Sequence, residues 1–76
     1  MNHEDIWKAI EVFATKNSLT CSGLARRCGM DPTTFNRSKR YSKVGQPRWP
    51  SVQSISKILN ATGKNINDFV RCLPEH

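Results

Sequence analysis

Four residues near the middle of the chain carry side chains that can read the edges of nucleobases: Thr33, Asn36, Arg37 and Arg40. A guanidinium can donate in parallel to the O6 and N7 acceptors of guanine. An amide can pair with N6 and N7 of adenine, and a threonine offers a hydroxyl, or a methyl to thymine. If the backbone there is helical, at about 100° per residue, all four fall on one face, opposite Phe35. Around them stand residues whose character suits a phosphate: Ser22, Arg26, Arg27, Thr34, Lys39, Lys43 and Arg48. Contacts of that kind position a protein on a nucleic acid without reading its sequence.

The charge pattern points to the same segment. The net charge is +6, and residues 26–48 carry all of it: Arg26, Arg27, Arg37, Lys39, Arg40, Lys43 and Arg48 stand against the single acid Asp31. Elsewhere Lys8, Lys16, Lys57, Lys64 and Arg71 are balanced by Glu4, Asp5, Glu11, Asp68 and Glu75. A basic cluster can be ordinary solvated surface, so the case depends on the elements that would present it.

Ile6, Ala9, Ile10, Phe13 and Ala14 recur at helical spacing, which predicts an amphipathic helix over about residues 3–17 with Trp7 half-buried at its edge. Ser22 to Cys28 reads as a short helix closed by Gly29. Asp31 as N-cap and Pro32 at the first helical position then predict a second helix over residues 32–41. Residues 42–50 have the glycine, prolines and polar residues of a loop, with Trp49 expected to anchor it against the core. Ser51 can cap a further helix with Val52, Ile55, Ile58 and Leu59 inward, ending near Gly63. Asn65 can cap a last one carrying Ile66, Phe69 and Val70. The expected fold is all-α, one domain over residues 1–76, a compact bundle of about five short helices.

Two helices flanking a tight corner, roughly residues 20–41, make a helix-turn-helix. Ala25 is the small residue where the helices cross and Gly29 supplies a positive φ in the turn. Leu24, Cys28, Met30 and Phe35 lock the angle. Such a unit would place the 32–41 helix in a major groove.

Other chemistries find little support. There is no phosphate-binding lysine loop, no nucleophile elbow, no metal-binding helix pair and no internal histidine to act as a base, so an enzyme is not expected. Cys21, Cys28 and Cys72 form no C-x-x-C pair and the two histidines sit at the ends, so neither metal nor cofactor is expected and the thiols read as reduced. The composition, 37% hydrophobic and 24% charged, is that of a globular domain, and no leader-like segment opens the sequence, which places it in the cytoplasm as an expectation.

The run Leu24-Ala25-x-x-Cys28-Gly29-Met30-x-x-x-x-Phe35 resembles the helix-turn-helix of the lambda repressor and Cro-like superfamily. Ser22 to Arg27, Asp31 to Arg40 and Arg48-Trp49-Pro50-Ser51 are similar to the N-terminal domain of bacterial and prophage repressors that carry a LexA-like serine peptidase domain. The resemblance implies a transcriptional repressor that binds a near-palindromic double-stranded DNA operator as a homodimer. In such relatives dimerisation and self-cleavage reside in a C-terminal domain that lies outside these residues. Cys21 stands where many relatives have a glutamine that contacts a phosphate. The rival reading is a module whose basic face meets an acidic protein or RNA, with Tyr41 and Trp49 as the candidate stacking residues.

Overall fold

The structure, a computed structural model, describes residues 2–74. Helix α1 (His3–Lys16) opens with a reciprocal cap: Asn2 accepts from the Asp5 backbone N–H, and the Asp5 carboxylate accepts from the Asn2 N–H. Its apolar stripe of Ile6, Ala9, Ile10, Phe13 and Ala14 is buried, as the spacing predicts. Helix α2 (Cys21–Arg27) is capped by Thr20, whose hydroxyl accepts from Gly23 N–H. Leu24 and Ala25 bring it into the same core.

The turn after α2 depends on Gly29, at φ +72°. A side chain there would meet nothing within 4 Å, so the demand is conformational rather than steric. Two hydrogen bonds close the helix around it, Met30 N–H to the Ala25 carbonyl and Gly29 N–H to that of Arg26.

Helix α3 (Val52–Thr62) starts at the expected Ser51 cap and stops at Gly63, again left-handed. Ile58 is fully buried and Ile55 and Leu59 pack against the core, but Val52 is 83% exposed. The helical period puts Val52 on the side of Ile55 and Leu59, yet at the first turn no neighbouring element covers it. Helix α4 (Ile66–Val70) opens with a second reciprocal cap, between Asn65 and Asp68. Phe69 packs its ring 5.9 Å from that of Phe13, tying α4 to α1, while Ile66 and Val70 stay half-exposed. Thus α1 is central, with α2 and α4 against it and α3 against α2.

The expectation of a helix over residues 32–41 is not met. The segment consists of successive turns and a single 3-10 turn, Arg37–Lys39, so the described residues hold four α-helices rather than about five. Its backbone bonds, Thr34 to Asp31, Asn36 to Thr33, Lys39 to Asn36 and Arg40 to Arg37, all span three residues. The cause is local competition. Asp31 accepts from the Thr33 N–H at 2.8 Å and from its hydroxyl at 2.6 Å, and the Thr34 hydroxyl donates to the Asp31 carbonyl at 2.6 Å. That carbonyl is the one an α-helix would offer to Phe35 N–H. Asn36 then turns extended, at ψ 154°. Phe35 nevertheless points inward and is 1% exposed, so the segment is pinned to the core by one side chain.

No strand forms among the described residues, but residues 41–47 make a small hairpin-like arm. A bridge pairs Tyr41 with Pro47, Ser42 N–H donates to the Gln46 carbonyl, and Gly45 turns at φ +81°. No helix among the described residues is long and apolar enough to cross a membrane.

Candidate nucleic-acid interface

Without the helix, helical spacing no longer aligns the four base-reading candidates, although Arg37 and Arg40 both reach Glu11 Oε1, at 3.9 and 3.0 Å. Thr33 is exposed with its hydroxyl given to Asp31. Asn36 is exposed, and the Arg37 side chain is 85% exposed. Arg40 is not available: its side chain is 14% exposed, it donates to Glu11 Oε1 at 3.0 Å, and its guanidinium lies 5.3 Å over the Trp7 ring. An arginine so placed stacks and pairs within the protein, which is the reverse of the exposed fork that base reading needs. The expectation for Arg40 is therefore corrected. Thr33, Asn36 and Arg37 remain accessible, on turns.

The phosphate candidates divide similarly. Arg26, Arg27, Lys39, Lys43 and Arg48 are exposed, while Thr34 and Ser22 are half-buried. Ser22 lies inside α2, 3.3 Å from the capping hydroxyl of Thr20. Three of the seven, Thr34, Lys39 and Arg48, line one open cleft of about 280 Å³ together with Trp49 and the serines Ser51 and Ser54 at the start of α3. No carboxylate lines it. Between Asp31 and Asp68 the sequence contains no acid, against Arg37, Lys39, Arg40, Lys43, Arg48, Lys57 and Lys64. Two cations, the Ser54 hydroxyl and the N-terminus of α3 in a recess that no carboxylate lines favour an anion, while the Thr34 and Ser51 hydroxyls already donate to the Asp31 carbonyl and to Ser54 Oγ.

A second polar cluster, on α1, was not legible as a site from its residue types. His3 is buried, and its Nε2 lies 2.8 Å from the Arg40 carbonyl and 2.7 Å from that of Arg48. Carbonyls only accept, so Nε2 carries the proton and donates. Trp7 Nε1 is 3.0 Å from the same nitrogen and 2.9 Å from the Arg48 carbonyl. A protonated Nε2 cannot accept, so the indole N–H belongs to the carbonyl. The Tyr41 hydroxyl donates to Glu4 Oε1 at 3.0 Å, which pushes the phenol pKa up. Glu11 also lies 3.9 Å from both Arg37 and Lys8. His3, Trp7 and Glu11 recur every four residues, so the signal was present: a polar strip beside the apolar one.

Trp7, expected half-buried at an edge, is buried. Trp49, expected to anchor the loop, is 55% exposed, with its ring edge-on to His3 at 5.6 Å between centroids. The anchor is Trp7. Cys21, Cys28 and Cys72 are free thiols, and burial raises the pKa of Cys21 and of Cys28, which disfavours the reactive thiolate.

No protein-family model, curated protein or solved structure matches this chain.

Proposed function

We propose that this chain is a DNA-binding domain that holds the backbone of a duplex at a basic cleft lined by no carboxylate and reads bases with groups exposed on the 31–40 turns. The observation that carries the reading is the cleft in which Thr34, Lys39 and Arg48 meet Ser51 and Ser54 with no carboxylate present. A phosphodiester matches its charge and the donors of Lys39, Arg48 and Ser54. On the 31–40 turns, Asn36 and Arg37 are exposed and offer an amide and a guanidinium, the pair of groups that distinguishes adenine and guanine edges, with Arg37 3.9 Å from Glu11. Arg26, Arg27 and Lys43 supply further phosphate contacts.

The α2–Gly29 corner with Leu24, Ala25 and Phe35 buried supports a lambda-repressor-like arrangement, in which the segment after the corner faces DNA. In this reading the base-contacting segment is a chain of turns rather than a helix. The finer proposals, a prophage-type repressor acting as a homodimer on a near-palindromic operator, rest on the resemblance of residues 22–51 to such repressors.

The test is a salt-series binding titration against a random duplex pool, with selection of the retained sequences. About five neutralised phosphates give a log–log salt slope of roughly −4 to −5. Arg37→Ala is expected to relax the selected motif at one position. Uniform weakening in that variant, or no motif at all, overturns base reading and leaves a nonspecific tether. One observation favours a second reading: Trp49 is exposed in the same cleft and offers a stacking platform for an unpaired base. Tighter retention of single-stranded RNA than of duplex would select it.

A further inference from the structure

The 41–47 arm is more ordered than a surface loop needs to be. Its interior is closed by the Tyr41–Pro47 bridge and by Ser42, which bonds Gln46 through both its backbone N–H and its hydroxyl. Its base is closed by Arg48 N–H donating to the Arg40 carbonyl at 2.8 Å. The same two residues, the feet of the arm, are gripped from α1: His3 donates to both of their carbonyls and Trp7 to that of Arg48. Arg40, at one foot, is further held by Glu11 and stacked on Trp7.

The far end, by contrast, packs on nothing. Lys43, Val44, Gly45 and Gln46 are all exposed, and Val44 is 83% so. Ordering these residues costs backbone entropy that no buried contact at the tip returns. An apolar tip flanked by Lys43 and Arg48, with no acid on the arm, suits a surface that is anionic and also presents C–H groups. The sugar-phosphate backbone of a duplex is such a surface, with phosphates for the cations and deoxyribose edges for the valine.

We infer that the 41–47 arm is a second DNA-contacting element, laid along the backbone beside the base-contacting turns, and that His3 is the positioning residue that holds it ready. This rests on the duplex-DNA reading above. His3 touches no DNA; it fixes the feet of the arm so that little ordering remains to be done on binding. Lys43 pairs with a phosphate and Val44 covers a deoxyribose.

The experiment compares arm and latch variants of the full chain on a duplex retained from the random pool, with thermal melting of each variant in parallel. Lys43→Ala is expected to weaken binding several-fold and to make the salt slope shallower by about 0.9, one phosphate contact. Val44→Ser is expected to weaken binding about threefold with the slope unchanged, since it removes apolar contact only. His3→Leu is expected to shrink the effect of Lys43→Ala in the double variant, because a loosened arm has less to lose. His3→Gln, which keeps an N–H donor, is expected to restore that effect. A purely structural His3 would lower the melting temperature and leave the effect of Lys43→Ala unchanged at temperatures where the variants are folded. Duplex binding that is indifferent to Lys43→Ala and Val44→Ser overturns the arm while leaving the duplex reading intact. No retained duplex for the unaltered chain overturns both.

Discussion

Residues 3–27 and residues 31–50 are neighbours in the chain and differ in how their polar groups are satisfied. In the first stretch the backbone satisfies itself through α1 and α2, with Asn2 and Thr20 closing the ends and an apolar stripe going inward. In the second, side chains share that work with short backbone turns: the Asp31 carboxylate accepts from Thr33, Thr34 donates to the Asp31 carbonyl, and His3 and Trp7 reach across from α1 to the carbonyls of Arg40 and Arg48. The exposed amide and guanidinium, Asn36 and Arg37, lie on these turns and not on a regular helix.

The largest effect expected from disturbing this contrast is at Phe35, the one fully buried side chain of the second stretch. Phe35→Ala should cost about 3–5 kcal/mol, much of the stability of so small a domain, measured by denaturant unfolding. A small loss would mean that the latch from α1 alone holds the segment. Next come the two arginines that share Glu11. Glu11→Gln leaves the guanidinium of Arg40, whose Nε already lacks a protein partner, buried without its counter-charge. It should cost about 2 kcal/mol. Arg37→Ala removes only an exposed contact at 3.9 Å and should stay within about 0.5 kcal/mol. Equal costs would erase the distinction between an arginine buried in the fold and one left exposed on it.

Gly29→Ala should cost about 1 kcal/mol through its positive φ alone, with Gly29→Asn costing less, since no atom crowds the site. The smallest effect belongs to acid. The Asp31 carboxyl is held below its ordinary pKa first by the Thr33 hydroxyl, then by the Thr33 N–H, with Lys39 adding to it. A depressed carboxylate pKa contributes order that is present above the unfolded value and fades as pH falls through the folded one. Amide exchange or NMR shifts of Thr33 and Thr34 should therefore report loosening of the turn only below the ordinary carboxylate range. Asp31→Asn should abolish that pH dependence.

Most of the helical frame could be read from residue types. The apolar stripe of α1, the Ser51 and Asn65 caps, and the stops at Gly29 and Gly63 all stand where local chemistry puts them. Where reading failed, two local rules competed. Asp31-Pro32 is a good helix start, but Asp31 with Thr33 and Thr34 is also a good turn, and the turn is the outcome. Once the helix is lost, so is the arithmetic that placed Arg40 beside Arg37. Val52 shows the converse limit, since period states which side a residue faces but not whether anything covers that side.

The sequence by itself determined where positive charge accumulates, which residues cap and stop the helices, and which apolar side chains can form a core, because each depends on a residue and its near neighbours. Only the tertiary structure decided which arginine stays exposed and which is buried against Glu11 and Trp7. It alone brought Thr34, Lys39 and Arg48 into one cleft, and only it gave His3 the two feet of the arm to hold. The arginine and His3 outcomes rest on contacts between residues about thirty to forty-five positions apart, such as His3 with Arg48, and the packing of the core sets which of them meet.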